Sequence, residues 1–160
     1  MVEVAGYVLR IMSNFWVDRV FDMAIYYTNL RKKWQAGQTI IFTHKTESGD
    51  SVVGYGVIES ACHQNELAVE DRVEPDKWKM ALVFRYVLRF EKPLSIKETF
   101  LKEPKFRGRY VHGLGVSKEQ IDSILNRAEL RSPWRRIFKS AERSRYECLQ
   151  RYIEHRGPAL

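Results

Sequence analysis

Three short stretches of this 160-residue chain interleave cations with flat rings: Arg31-Lys32-Lys33-Trp34, Lys77-Trp78-Lys79 and Lys105-Phe106-Arg107-Gly108-Arg109-Tyr110. A ring offers its face to any planar heterocycle, and an ammonium or guanidinium beside it can meet a phosphate. Base stacking with phosphate contact is therefore the chemistry these stretches can support. Each has a plainer reading too. A tryptophan is usually a packing residue, and a charged loop with snorkelling side chains needs no ligand.

Other chemistries find less footing. His44, His63, His112 and His155 lack metal-ligand spacing, and Cys62 and Cys148 are far apart with no C-x-x-C or C-x-x-H partner. No metal, cofactor or disulfide framework is expected. Nothing resembles a nucleophile elbow or a P-loop. An enzymatic alternative would pair His112 with a carboxylate such as Glu103 as acid and base. Gly54-Tyr55-Gly56 is not a dinucleotide fingerprint, because no third glycine opens a helix after it; in Gly113-Leu114-Gly115 that place is held by Lys118. Glycines inside a strand mark a bend, or a place where a ligand or another backbone comes close.

Those residues need elements to position them. Ala5–Met12 is rich in β-formers, and Ser13-Asn14 offers an N-cap to a short helix with Trp16, Val17, Val20, Phe21 and Ala24 on one face. Ile25–Thr28 reads as a short strand. Thr39–His44 and Ser51–Ala61 form a hairpin about Glu47-Ser48-Gly49-Asp50. Lys79–Phe90 alternates Val83, Arg85, Val87 and Arg89 with Leu82, Phe84, Tyr86, Leu88 and Phe90. That pattern predicts one apolar face and one carrying two arginines. Pro93–Ile96 reads as a separate edge segment. Ser117-x-x-Gln120 is a capping box before Ile121, Ile124, Leu125 and Ala128. Many strands at short spacing predict an α+β chain built on a small barrel or curled sheet with helices at its ends.

The composition, 44% hydrophobic and 12% aromatic, suits a globular core. Net charge is +7, and residues 131–160 hold eight Lys/Arg against three Glu, so five of those charges lie there. Pro133 opens a predicted amphipathic helix to about His155, with Arg135, Arg136, Lys139 and Arg143 off its apolar stripe. The expected organisation is a barrel domain over 1–130 with this basic helix docked on it over 131–160. No run approaches the roughly 18 apolar residues of a membrane span, and Met1–Arg10 is unlike a signal peptide. A cytoplasmic protein with no membrane partner is expected.

The order of these elements, with G-Q-T-I-I-F-T, the return strand V-V-G-Y-G-V-I, the strand end F-E-K-P-L and the helix G-V-S-K-E-Q-I-D-S-I-L, resembles the PUA-like superfamily. EVE domains and an archaeal PUA-like family of unknown function are the branches it most resembles. The resemblance covers about residues 4–130. It implies a mostly antiparallel pseudobarrel of five or six strands with helices at its ends, binding RNA or a modified nucleobase in a pocket beside the barrel; with no catalytic motif in the sequence, binding without catalysis is expected. It places Asn14, Trp16, Lys32, Lys33, Trp34 and Tyr55 near that pocket. Trp78, Arg85, Arg107 and Arg109 join the candidate set for stacking or phosphate contact. The G-x-K-x-x-E-x-R motif of ASCH domains is absent, and the basic terminal helix lies outside the pattern. The alternative is a protein-interaction module that uses that helix, and a homodimer is compatible with either.

Overall fold

In the computed structural model, which describes residues 3–106 and 111–131, strand β1 (Gly6–Ile11) is buried on both faces. Leu9 and Ile11 point into one core and Val8 into another. Double burial explains its nearly continuous apolar run. Gly6 is obligatory, because a Cβ there would stand 1.8 Å from the carbonyl oxygen of Thr39. Ser13 caps helix α1 (Asn14–Met23), its Oγ accepting from Trp16 N–H at 3.3 Å. Val17, Val20 and Phe21 are buried on the sheet, at about 1.5–3 kcal/mol each. Ala24 ends α1 in a left-handed conformation at φ 56°. Its carbonyl accepts from Phe84 N–H at 2.9 Å, which turns the chain straight into β2 (Ile25–Thr28).

Strands β3 (Thr39–Thr46), β4 (Gly49–His63), β5 (Met80–Ser95) and β6 (Leu114–Val116) complete one sheet in the order β2-β5-β4-β3-β1-β6. Among the described residues only β1 with β3 is parallel. The sheet curls into a half-barrel with β2 and β6 at its edges, close to the expected mostly antiparallel barrel. Helix α2 (Lys118–Arg131) covers the face opposite α1, burying Ile121, Ile124 and Ala128. Its capping box closes both ways: Gln120 N–H donates to Ser117 Oγ at 3.2 Å and Ser117 N–H to Gln120 Oε1 at 3.0 Å. The predicted basic helix lies outside the described residues.

Two expectations about β5 fail. Leu82, Phe84 and Val87 belong to the α1 core, whereas Leu88 and Phe90 belong to the α2 core. Irregularities in the β4–β5 register at Val57/Ile58 and Ile58/Ser60 break the alternation, so neither face stays the apolar one. Pro93–Ser95 is no separate segment but the end of β5, with Leu94 opposite Val52 and Ser95 opposite Ser51. Pro93 sits in β5 at the register irregularity between the Arg89 and Leu94 pairings, a place where a strand tolerates proline.

Candidate functional site

A third apolar cluster forms where β2 meets the segment before β5: Ile25, Tyr27, Cys62, Leu67, Ala81 and Val83, with Trp16 and Trp78 packed against it. Trp16 and Val20, one helical turn apart on α1, share a face. They line a cavity of about 240 Å³ together with Ile11, Met12, Tyr26, Tyr27 and Trp78. The rings meet edge to face: Trp16 lies 6.1 Å from Tyr27 at 63° and 6.4 Å from Trp78 at 79°. Three ring systems thus wall a space open to solvent.

The polar groups at this cavity are held in place. Tyr26 donates its hydroxyl to Arg10 O at 3.0 Å, and Tyr27 donates to Asp71 O. Burial raises the pKa of both, that of Tyr27 to about 12, with the Arg19 charge opposing and the Asp71 charge assisting. Both tyrosines are therefore neutral donors at physiological pH. The buried Nε1–H of Trp78 has no acceptor among the described residues. Cations ring the cavity: Arg10 and Lys77 line it, and Lys77 Nζ lies 5.3 Å from the Trp78 ring centroid.

The segment carrying Trp78 is pinned by two side-chain amides. Gln64, only 1% exposed, donates from Nε2 to Val73 O (2.9 Å) and Trp78 O (2.6 Å). Its Oε1 accepts from Val73 N–H at 2.7 Å. Asn29, at the end of β2, donates from Nδ2 to Lys77 O (2.7 Å) and accepts at Oδ1 from Lys79 N–H (2.9 Å). Between them Glu74 takes a left-handed φ of 43° and its carbonyl accepts from Lys77 and Trp78 N–H.

Next to the cavity, sharing Lys77 with it, runs an open groove lined by Asn29, Arg31, Lys32, Trp34, Asp76 and Lys79, among others. None of its four cations is in an ion pair among the described residues, whereas Arg85 pairs with Glu59 at 3.0 Å and Arg89 with Asp18 at 2.7 Å. Trp34 packs edge-on to Tyr7 at 5.1 Å, and Lys32 Nζ stands 5.8 Å from that Tyr7 ring.

The expected site residues therefore divide. Trp16 and Trp78 wall the cavity, while Lys32 and Trp34 line the groove. Lys33 is exposed. Asn14 bonds to His44 Nε2 at 3.0 Å, and His44 Nδ1–H donates to Ile11 O at 2.7 Å, which ties the start of α1 to β1 and β3. Tyr55 is not at the cavity: it is buried in the α2 core near Tyr86 and Phe90. The glycines beside it serve packing, since Phe21 and Leu88 O fill the space at Gly54, and Phe84 and Val87 that at Gly56. Arg85 is engaged with Glu59, and Arg107 and Arg109 lie outside the described residues.

His112 accepts at Nδ1 from Arg10 N–H at 3.0 Å. Burial, then the Arg10 and Lys32 charges, lower its pKa below the usual histidine value. Among the described residues no hydrogen bond or ion pair joins it to Glu103, which is exposed. No group of three or more His, Cys, Asp or Glu among them is placed to hold a metal ion, and no helix among them is long and apolar enough to cross a membrane. Tyr26, Tyr27, Gln64 and Asn29 were not legible as site residues. The one local signal was the Tyr-Tyr doublet in a four-residue strand; lone amides give none.

The chain matches no protein-family model and no curated protein. Among solved structures it is similar to an ASCH protein from Zymomonas mobilis, with 15% identity, a TM-score of 0.54, and coverage of 78% of this chain and 96% of that one. It is also similar to a hypothetical protein from Leishmania major, with 17% identity, a TM-score of 0.52, and coverage of 79% and 96%. ASCH proteins belong to the PUA-like superfamily, so the fold expected from the sequence is the fold found.

Proposed function

We propose that this chain binds a nucleobase, with the base between Trp16, Trp78 and Tyr27 and the attached phosphates along the groove of Arg31, Lys32, Lys77 and Lys79. The observation that carries the proposal is the three-ring cavity opening beside unpaired cations. An aromatic cage also suits methylated ammonium ions. Here the charge decides against them: a cation about 6 Å from Lys77 Nζ is repelled by roughly 3 kcal/mol at an effective dielectric constant of about 20. A neutral ring tethered to negative charge meets no such penalty.

The role is binding rather than catalysis. The hydroxyls at the cavity are tyrosines held protonated, and His112 is committed to Arg10 and flanked by cations. RNA carrying a modified base, in the cytoplasm, is the ligand the sequence resemblance favours. The EVE branch and a homodimer belong to this proposal as well. The alternative of a protein-interaction helix over 131–160 rests on residues outside those described.

Calorimetric titration with unmodified and base-modified nucleosides tests the reading. Stacking contributes about 1–3 kcal/mol per base, so Trp78→Ala or Trp16→Ala weakens binding roughly 5- to 150-fold. Heat of binding from no nucleoside and no oligonucleotide, or heat unchanged in both variants, would refute it.

A further inference from the structure

We infer that Gln64 and Asn29 are positioning residues of the base site: they hold Trp78 and its two flanking lysines as a preformed wall. This rests on the base-binding reading of the cavity. The segment from Val73 to Lys79 has no regular secondary structure, and a ring carried on such a segment would ordinarily be mobile. Here five side-chain hydrogen bonds of 2.6–2.9 Å from two amides hold it. Both N–H donors and the carbonyl of the Gln64 amide are used on this segment alone, and its backbone N–H donates to Lys79 O at 2.9 Å.

The two amides divide the work. Gln64 fixes the backbone of Trp78 itself, which sets one wall of the cavity. Asn29 bridges Lys77 O and Lys79 N–H, so it holds on either side of the ring the two lysines that line the groove. The cavity and the groove are thereby kept in register by the same seven residues. A wall ordered in advance spares the ligand the cost of ordering it, a cost of about 0.5–1.5 kcal/mol per immobilised side chain. Removing the clamp should therefore weaken binding by about 2- to 12-fold with every ring still present.

A merely structural role is separated from a positioning one by a double-mutant cycle. Nucleoside affinity is measured for the wild type, Gln64→Leu, Trp78→Ala and the double variant, with amide hydrogen exchange on the unliganded proteins. The expected result is that Gln64→Leu weakens binding in the wild-type background and has no further effect once Trp78 is gone. Exchange at Val73, Lys77, Trp78 and Lys79 should accelerate while β3 and β4 stay protected. The inference is overturned if Gln64→Leu weakens binding by the same factor in both backgrounds, or if those four amides exchange as in the wild type. Should Gln64→Leu fail to fold, Asn29→Ala, at an exposed position, carries the same cycle. A wild type that binds no nucleoside defeats the base-binding reading alone, and the exchange rates still decide whether the wall is clamped.

Discussion

Lys79→Ala should change how binding responds to salt more than it changes binding of a free nucleoside. The groove offers four cations, Arg31, Lys32, Lys77 and Lys79, none in an ion pair among the described residues. Each phosphate neutralised on a single strand contributes about −0.7 to the slope of log K against log salt, so four contacts give about −3. Affinity for a short single-stranded oligonucleotide then falls roughly fifty-fold between about 50 and 200 mM salt. Lys79→Ala or Arg31→Ala removes one contact and brings the slope to about −2; the double variant brings it near −1.5. Arg85→Ala, at a cation already paired with Glu59, leaves the slope as it was. Anisotropy of a labelled oligonucleotide, titrated at five or so salt concentrations, reads all of this. The reasoning is refuted if the wild-type slope is near zero, or if Arg85→Ala flattens it as much as Lys79→Ala does.

Three further outcomes concern the scaffold. The folded state holds His112 neutral by burial and by the Arg10 and Lys32 charges. It therefore binds fewer protons than the unfolded chain, and stability from this group falls as pH drops through about 6.5 toward the lowered folded value. The melting temperature of the wild type relative to His112→Gln should decline in that window; a gain on acidification would contradict the sign. Gly6→Ala drives a Cβ to 1.8 Å from Thr39 O and should cost about 4 kcal/mol or more. Gly37→Ala, at φ +90° with nothing within 4 Å, should cost only about 1–2 kcal/mol; urea unfolding separates the two. Ser117→Ala removes an acceptor from the start of α2 and should lower stability by about 1 kcal/mol, or roughly 2–4 °C in a thermal melt.

The sequence carried the order of elements well where periodicity is local. Ser13 and Ser117 mark their helix starts by side-chain chemistry that operates within three residues. The Val17, Val20 and Phe21 stripe and the hairpin at Gly49 are likewise local patterns. What failed depended on the sheet as a whole. The resemblance puts Tyr55 near the pocket, yet Phe21 and Phe84 fill the space at the glycines on either side of it while Tyr55 packs in the opposite core. The alternation along β5 misled because irregularities in its register with β4 are invisible in β5's own residues. Trp16 and Trp78 each stand out in the sequence, but nothing local brings together residues 62 positions apart; the loop clamp of Gln64 and Asn29 does, and single amides leave no pattern in a sequence.

The most direct measurement is the response of the indole N–H signals of a 15N-labelled sample to added nucleosides. Saturable movement of the Trp16 and Trp78 signals, with the backbone amides of α2 unmoved, is the outcome expected of a base held between those rings. Signals that stay fixed for every nucleoside, or that move only around Ile121 and Ile124 on the far face of the sheet, would contradict it.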